Sequence, residues 1–191
     1  MSKTEATTTS RSIQKVTISG LLIAVGVVIP LFSPLKVVLE PASFTLASHV
    51  AIFIAMFISP GVAASVAIGT TAGFLMGGFP LIVVLRAASH IVFATAGAFY
   101  LKKVRAASES AARLRLFSFV VALTHALFEL IVVSVFYFGG TISDGYYQQG
   151  FLVSVLFLVG LGTVIHSMVD FEIARVIMIA LKNRLPFWST N

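Results

Sequence analysis

The stretch "VVLRAASHIVFATAG", residues 83–97, places an arginine and a histidine inside an otherwise apolar run. The apolar segment around it, 81–101, reaches the length of about 20 residues that a helix needs to cross the hydrocarbon core of a bilayer. Of the 191 residues in the chain, 58% are hydrophobic and only 10% are charged. Soluble domains carry about 25% charged residues. The stretch and the composition together predict a polytopic membrane protein.

Six apolar segments predict six transmembrane helices, so the expected fold class is an all-α membrane protein. These segments are 16–33, 44–59, 61–79, 81–101, 116–138 and 150–170. Proline and glycine end helices at "SPG" (59–61) and "GFP" (78–80). We divide the chain into a polar cytoplasmic tail (1–14), a single six-helix transmembrane domain (15–185) and a C-terminal tail (186–191).

The basic residues predict which side of the membrane each loop faces. Those of the predicted inner segments are Lys3, Arg11, Lys15, Lys102, Lys103, Arg105, Arg113, Arg115, Lys182 and Arg184. With both termini inside, all of them are cytoplasmic, whereas the outer loops hold only Lys36. This asymmetry accounts for the net charge of +6 without a nucleic-acid partner. The outer segments are then 34–43, the 79–80 turn and 139–149, and we expect the first and last to close over a site.

Several ionisable side chains fall within predicted spans, where they are costly unless they face a cavity, a partner or each other. They are His49, Arg86, His90, His125, Glu129, His166 and Asp170. Three pairs have i, i+4 spacing and so share a helical face: Arg86 with His90, His125 with Glu129, and His166 with Asp170.

Depth, counted at about 1.5 Å per residue, separates these side chains into two sets. Arg86, His90, Glu129 and His49 are expected to converge on a cavity in the outer half of the bundle. With His125, they are the predicted substrate-binding residues. His166 and Asp170 are expected to lie deeper, as a structural or interfacial pair. The differing depths argue against a metal site.

Arg86 is the most informative of these residues, because it keeps its charge and its planar fork suits a carboxylate. It either binds a ligand or forms a salt bridge with Glu129 between the fourth and fifth spans, and the two roles are compatible. Enzyme motifs such as a Walker A loop or HExxH are absent from the sequence, and it has no cysteine. We expect no catalytic residue and no cofactor.

Small residues recur every four positions in the first three spans, which lets helix backbones approach closely in lipid. They are Gly20 and Ala24; Ala47, Ala51, Ala55 and Ser59; and Gly61, Ser65, Gly69, Gly73 and Gly77. Internal packing is sufficient to explain the third span. The alternative is a docking surface for a second membrane protein.

Residues 13–180 resemble the substrate-binding S components of energy-coupling factor (ECF) vitamin transporters. The likeness is carried most by residues 20–90, "GLLIAVGVVIPLFSPLKVVLEPASFTLASHVAIFIAMFISPGVAASVAIGTTAGFLMGGFPLIVVLRAASH". In that family a small-xxx-small motif on the first helix docks on the coupling subunit. Gly20 and Ala24 match the motif, whereas Val28 departs from the usual alanine.

The resemblance implies a passive binder in the bacterial cell membrane. It would work with a membrane coupling (T) subunit and two cytoplasmic ATPase subunits, which would hydrolyse the ATP. The likeness is greatest to the branch that handles pantothenate or niacin, with pantothenate favoured. Both are carboxylates, which Arg86 suits independently.

Other functions remain open at this point. Hydroxymethylpyrimidine or pyridoxine-type vitamins are alternatives, because Glu129 and the histidines can recognise ring nitrogens. A small proton-coupled secondary carrier would use Arg86, His90, His125 and Glu129 as a relay. A membrane scaffold without a ligand is a third possibility.

Overall fold

The computed structural model describes residues 3–39, 42–104 and 110–181. The helices are α1 (Lys3–Phe32), α2 (Val50–Ile58), α3 (Pro60–Met76), α4 (Leu81–Val104), α5 (Ala111–Phe138), α6 (Asp144–Phe151), a π-helix (Leu152–Leu161) and α7 (Gly162–Leu181). Strands β1 (Lys36–Leu39) and β2 (Ala42–Thr45) form an antiparallel hairpin with Lys36 opposite Thr45. The predicted C-terminal tail, part of the predicted 102–115 loop, Lys182 and Arg184 lie outside the described residues.

Within the described ranges, four helical segments are long and apolar enough to cross a membrane. They are Ser10–Phe32, Leu81–Val104, Ala111–Phe138 and Asp144–Leu181. Helix α3 is a shorter apolar helix of 17 residues, and α2 has only 9. Nine residues at a rise of 1.5 Å cover about 13.5 Å, less than half of a ~30 Å hydrocarbon core. The helical membrane class is therefore supported, while six crossings, cytoplasmic termini and the division into tails and one domain stay predictions.

The second predicted span, 44–59, is not a single helix. Its first two residues belong to β2, residues 46–49 form a turn, and the helix begins at Val50. Within the turn Ala47 has a φ of 67°, a left-handed conformation that an α-helix cannot include. The hairpin before it occupies most of the predicted outer loop 34–43.

Small residues on α3 allow α1 to pack directly against it. A Cβ atom at Gly69 would overlap the side chain of Ile23, and one at Gly73 would overlap that of Val27. Internal packing therefore explains these two glycines. By contrast, Gly20 and Ala24 lie exposed on the outside of α1.

An aromatic core joins α2, α4 and α7 and lies directly beside the buried polar residues. The ring of Phe53 is 5.8 Å from that of Phe93 and 5.4 Å from that of Phe171. Four residues before Phe53, at the end of the turn that precedes α2, the ring of His49 is 4.8 Å from that of His90 and 5.0 Å from that of His166. These matched contacts show that α2, α4 and α7 run parallel in this part of the bundle.

Candidate substrate-binding site

A cavity of about 310 Å³ opens between the hairpin and the helices. This volume lies at the lower end of the range of roughly 300–1,000 Å³ for small-molecule sites. Its polar lining residues are Thr45, Ser48, His49, Thr70, Arg86, His90, Glu129, Thr163 and His166. Phe44, Phe74 and Phe79 supply aromatic surface. The segment 139–149, predicted to lie outside and to close over the site, contributes no lining residue.

The carboxylate of Glu129 is the centre of the first polar cluster. Its Oε2 accepts hydrogen bonds from Arg86 Nη2 at 2.7 Å and from Thr163 Oγ1 at 2.9 Å. Its Oε1 lies 3.4 Å from His90 Nε2 and 3.5 Å from His125 Nε2. The side chain of Glu129 is only 3% exposed. One buried carboxylate thus joins α4, α5 and α7.

Arg86 is both paired and available at the cavity wall. Its Nη2 donates a hydrogen bond to Glu129, so the predicted salt bridge between the fourth and fifth spans is present. Its Nε is buried and has no hydrogen-bond partner among the described residues. The side chain keeps 20% of its surface exposed and lines the cavity. The pairing with Glu129 therefore leaves donors of the guanidinium for a second acceptor.

His125 lies behind the cavity and is not among its lining residues, although sequence predicted it in the binding set. Its Nδ1 is 3.3 Å from Ser167 Oγ, and its ring is 4.6 Å from the ring of His90. The side chain is fully buried. In this position His125 supports His90 and Glu129 from the protein interior.

A second cluster corrects the predicted depth of His166 and Asp170. His166 lines the cavity, and its Nε2 is 3.1 Å from His49 Nδ1. Asp170 Oδ2 lies 3.3 Å from His49 Nδ1 and 3.4 Å from His166 Nε2. The depth count assumed a regular α-helix, whereas residues 152–161 are a π-helix, whose wider turns advance less per residue. The differing depths that argued against a metal site are not found among His49, His166 and Asp170, so that argument was wrong for this cluster.

Asp170 also holds the turn between β2 and α2. Its Oδ1 accepts the backbone N–H of Ala47 at 2.8 Å, and its Oδ2 accepts that of His49 at 2.9 Å. These two bonds stabilise the left-handed conformation of Ala47 and position His49. Asp170 is itself completely buried.

Ser48 and Thr163 are polar site residues that the sequence analysis missed. Thr163 precedes His166 by three residues, so helical periodicity on α7 would have placed both on one face. Ser48 Oγ lies 3.1 Å from His49 Nδ1 and 3.0 Å from His166 Nε2. No periodicity reveals Ser48, because it belongs to a turn.

A comparison with known proteins identifies the family. The chain is 38% identical over 173 residues to the niacin transporter NiaX of Lactococcus lactis subsp. cremoris (strain MG1363), covering 90% of this chain and 77% of that protein. No family model and no solved structure matches the chain. The chain belongs to the S-component family of ECF vitamin transporters, in its niacin-like branch. It is a multi-pass protein of the bacterial cell membrane.

Proposed function

We propose that this chain is a niacin-binding S component that takes up its vitamin together with a membrane coupling subunit and two ATPase subunits. The observation that carries the proposal is the guanidinium of Arg86 at the cavity wall, with its buried Nε free of a partner among the described residues. The relative with 38% identity is a niacin transporter, which favours niacin over the pantothenate expected from the sequence.

Niacin is a flat pyridine ring that carries one carboxylate, and the cavity offers a complement to each part. Arg86 binds the carboxylate through the donors that Glu129 leaves unused. Charge-assisted bonds of this kind are roughly twice as strong as neutral ones. Phe74 and Phe79, whose rings lie 4.7 Å apart, provide apolar contact for the ring. The pyridine nitrogen can accept a hydrogen bond from the hydroxyl of Ser48, which lines the cavity.

Glu129 serves this arrangement by positioning Arg86. Because side chains from α4 and α7 hold the carboxylate, it fixes the guanidinium at the cavity wall. The pairing also offsets the cost of keeping an arginine inside the bundle, where an unpaired charge is strongly unfavourable. The ligand then meets a donor whose direction is already set.

Calorimetry on the detergent-purified protein tests the carboxylate role. We expect nicotinate to bind at least about tenfold more tightly than nicotinamide and more tightly than pantothenate. Arg86→Lys keeps the charge but loses the fork, and should weaken nicotinate binding roughly tenfold. Arg86→Ala should weaken it about 100-fold or more.

Arg175 provides the matched control. Its side chain is 19% exposed, close to the 20% of Arg86, and it pairs with Glu172 at the same N–O distance of 2.7 Å. Arg175→Lys should leave nicotinate binding unchanged. Equal affinity for nicotinate and nicotinamide would refute the carboxylate role, and tighter binding of pantothenate would refute the choice of vitamin.

The exposed small residues of α1 serve as the docking surface for the coupling subunit. Gly20 has no other atom near the position of a Cβ, and Ala24 is exposed one turn further on. A larger side chain there would prevent close helix contact in lipid. Gly20→Leu and Ala24→Leu should abolish co-purification with the coupling subunit while nicotinate affinity stays within about twofold.

Ala96→Leu is the control for this experiment, because Ala96 is an exposed alanine on α4. The Ala96→Leu protein should co-purify with the coupling subunit as the wild type does. Loss of nicotinate binding together with assembly would indicate that Gly20 and Ala24 serve internal packing. Normal assembly of both α1 variants would place the docking surface elsewhere.

A further inference from the structure

Three possible metal ligands meet at one point beside the cavity. His49 Nδ1, His166 Nε2 and Asp170 Oδ2 are separated by 3.1, 3.3 and 3.4 Å. Two of these residues line the cavity, while Asp170 approaches from the protein interior. Imidazole nitrogen and carboxylate oxygen are the donor types that catalytic and open zinc sites use.

The separations match those of a tetrahedral site. Zn²⁺ binds nitrogen and oxygen ligands at roughly 2.0–2.2 Å. The edge of a tetrahedron is about 1.63 times the distance from its centre to a corner, so neighbouring ligand atoms lie about 3.3–3.6 Å apart. The three donor atoms therefore form one face of a tetrahedron with only tenths of an ångström of adjustment.

The surroundings of the three donors are those of a supported site. Both oxygens of Asp170 accept backbone hydrogen bonds, at 2.8 and 2.9 Å, which fixes the carboxylate. Ligating carboxylates are commonly held in this way, and such support tunes metal affinity. Ser48 Oγ, 3.0 Å from His166 Nε2 and 3.1 Å from His49 Nδ1, sits next to the same point and is a weak ligand at most.

We propose that His49, His166 and Asp170 bind a divalent transition-metal ion such as Zn²⁺ in the wall of the cavity. The fourth position is shared between the Ser48 hydroxyl and whatever occupies the cavity. A second group, His49 with His90 and His125, also has candidate ligand atoms within 4.8 Å of one another. The carboxylate beside that group, Glu129, already has its charge paired with Arg86, whereas no arginine or lysine among the described residues forms an ion pair with Asp170. The group with Asp170 therefore offers the better charge balance for a dication.

Zn²⁺ titration of the purified, chelator-treated protein tests the proposal. The wild type should bind one Zn²⁺ per chain. His166→Gln should weaken binding at least about tenfold, since even supporting residues contribute 10–100-fold to metal affinity. His90→Gln keeps all three proposed ligands and should bind Zn²⁺ within about twofold of the wild type. Absence of Zn²⁺ binding by the wild type would overturn the proposal, and so would loss of binding in His90→Gln with retention in His166→Gln.

A gain-of-function variant guards against loss of binding through misfolding. Ser48→Cys places a thiol, which is a stronger ligand than a hydroxyl, beside both histidine nitrogens. Because the chain has no other cysteine, a thiolate-to-metal charge-transfer band on adding Co²⁺ reports ligation at position 48 alone. We expect this band, together with tighter Zn²⁺ binding than in the wild type. A Ser48→Cys protein that binds Co²⁺ without the band would show that the ion lies elsewhere, and the proposal would be wrong.

Discussion

Two arginine–glutamate pairs, one on the cavity wall and one further along α7, look alike at first sight. Arg86–Glu129 and Arg175–Glu172 have the same N–O distance of 2.7 Å, and the arginines are 20% and 19% exposed. The glutamates differ: Glu129 is 3% exposed and Glu172 is 37% exposed. The first pair joins two helices, whereas the second lies within one helix at i, i+3 spacing.

Because the two arginines are about equally exposed, the burial of the glutamate is the feature that distinguishes the two pairs. Glu129 accepts a hydrogen bond from Thr163 and lies beside His90 and His125, which hold it next to Arg86. Glu172 is exposed and also has Arg115 at 3.8 Å. We therefore expect Arg86–Glu129 to contribute more to the stability of the bundle than Arg175–Glu172.

The largest expected loss of stability comes from removing Arg86. Arg86→Ala leaves the charge of Glu129 buried without its partner, which typically costs about 3–5 kcal/mol. We expect the free energy of unfolding, measured by SDS titration in mixed micelles, to fall by that amount. The double variant Arg86→Met with Glu129→Gln should recover most of the stability but not nicotinate binding. Recovery of both would mean that Arg86 is purely structural.

A smaller loss of stability is expected from removing the hydroxyl of Thr163, which donates a hydrogen bond to Glu129. Thr163→Val keeps the shape of the side chain but removes the 2.9 Å hydrogen bond to Oε2. Hydrogen bonds to charged groups contribute roughly 1.5–3 kcal/mol. The same SDS titration should show a loss in this range, with a moderate decrease in nicotinate affinity. No change in either quantity would show that this support of Glu129 is dispensable.

The smallest loss of stability is expected when the Arg175–Glu172 pair is removed. Arg175→Ala should change the free energy of unfolding by no more than about 1 kcal/mol, because exposed ion pairs are screened by water and salt. Raising the ionic strength should shrink even this difference, while leaving the effect of Arg86→Ala intact. A loss at Arg175 as large as at Arg86 would contradict the contrast between the pairs.

Helical spacing was sufficient to predict much of the first polar cluster. The i, i+4 pairs Arg86/His90 and His125/Glu129 identified two helix faces, and the structure brings those faces together. The spacing of Gly69 and Gly73 likewise predicted close packing in the first three spans. These features are local patterns whose consequences depend only on regular helix geometry.

The second cluster could not be predicted, because irregular backbone creates it. A depth count assigns the same rise along the helix axis to every residue. It therefore fails across the kink at Gly150, where φ is 74°, and across the π-helix that follows. Hydropathy likewise cannot separate β2 and the 46–49 turn from the apolar helix that follows. Both errors concern the segments that bring His49 and His166 together.

The carboxylate of Asp170, which holds the 46–49 turn, also bears on the order of folding. The turn's bonds to Asp170 link residues 123 and 121 positions apart in the chain. Ala47 has a left-handed backbone, which is unfavourable for a residue with a Cβ atom, and its N–H bonds to this distant carboxylate. Closing so long a loop is entropically costly and comes after local helix formation. We therefore expect the cavity wall formed by the hairpin and the 46–49 turn to be completed late, once α7 has been made and packed.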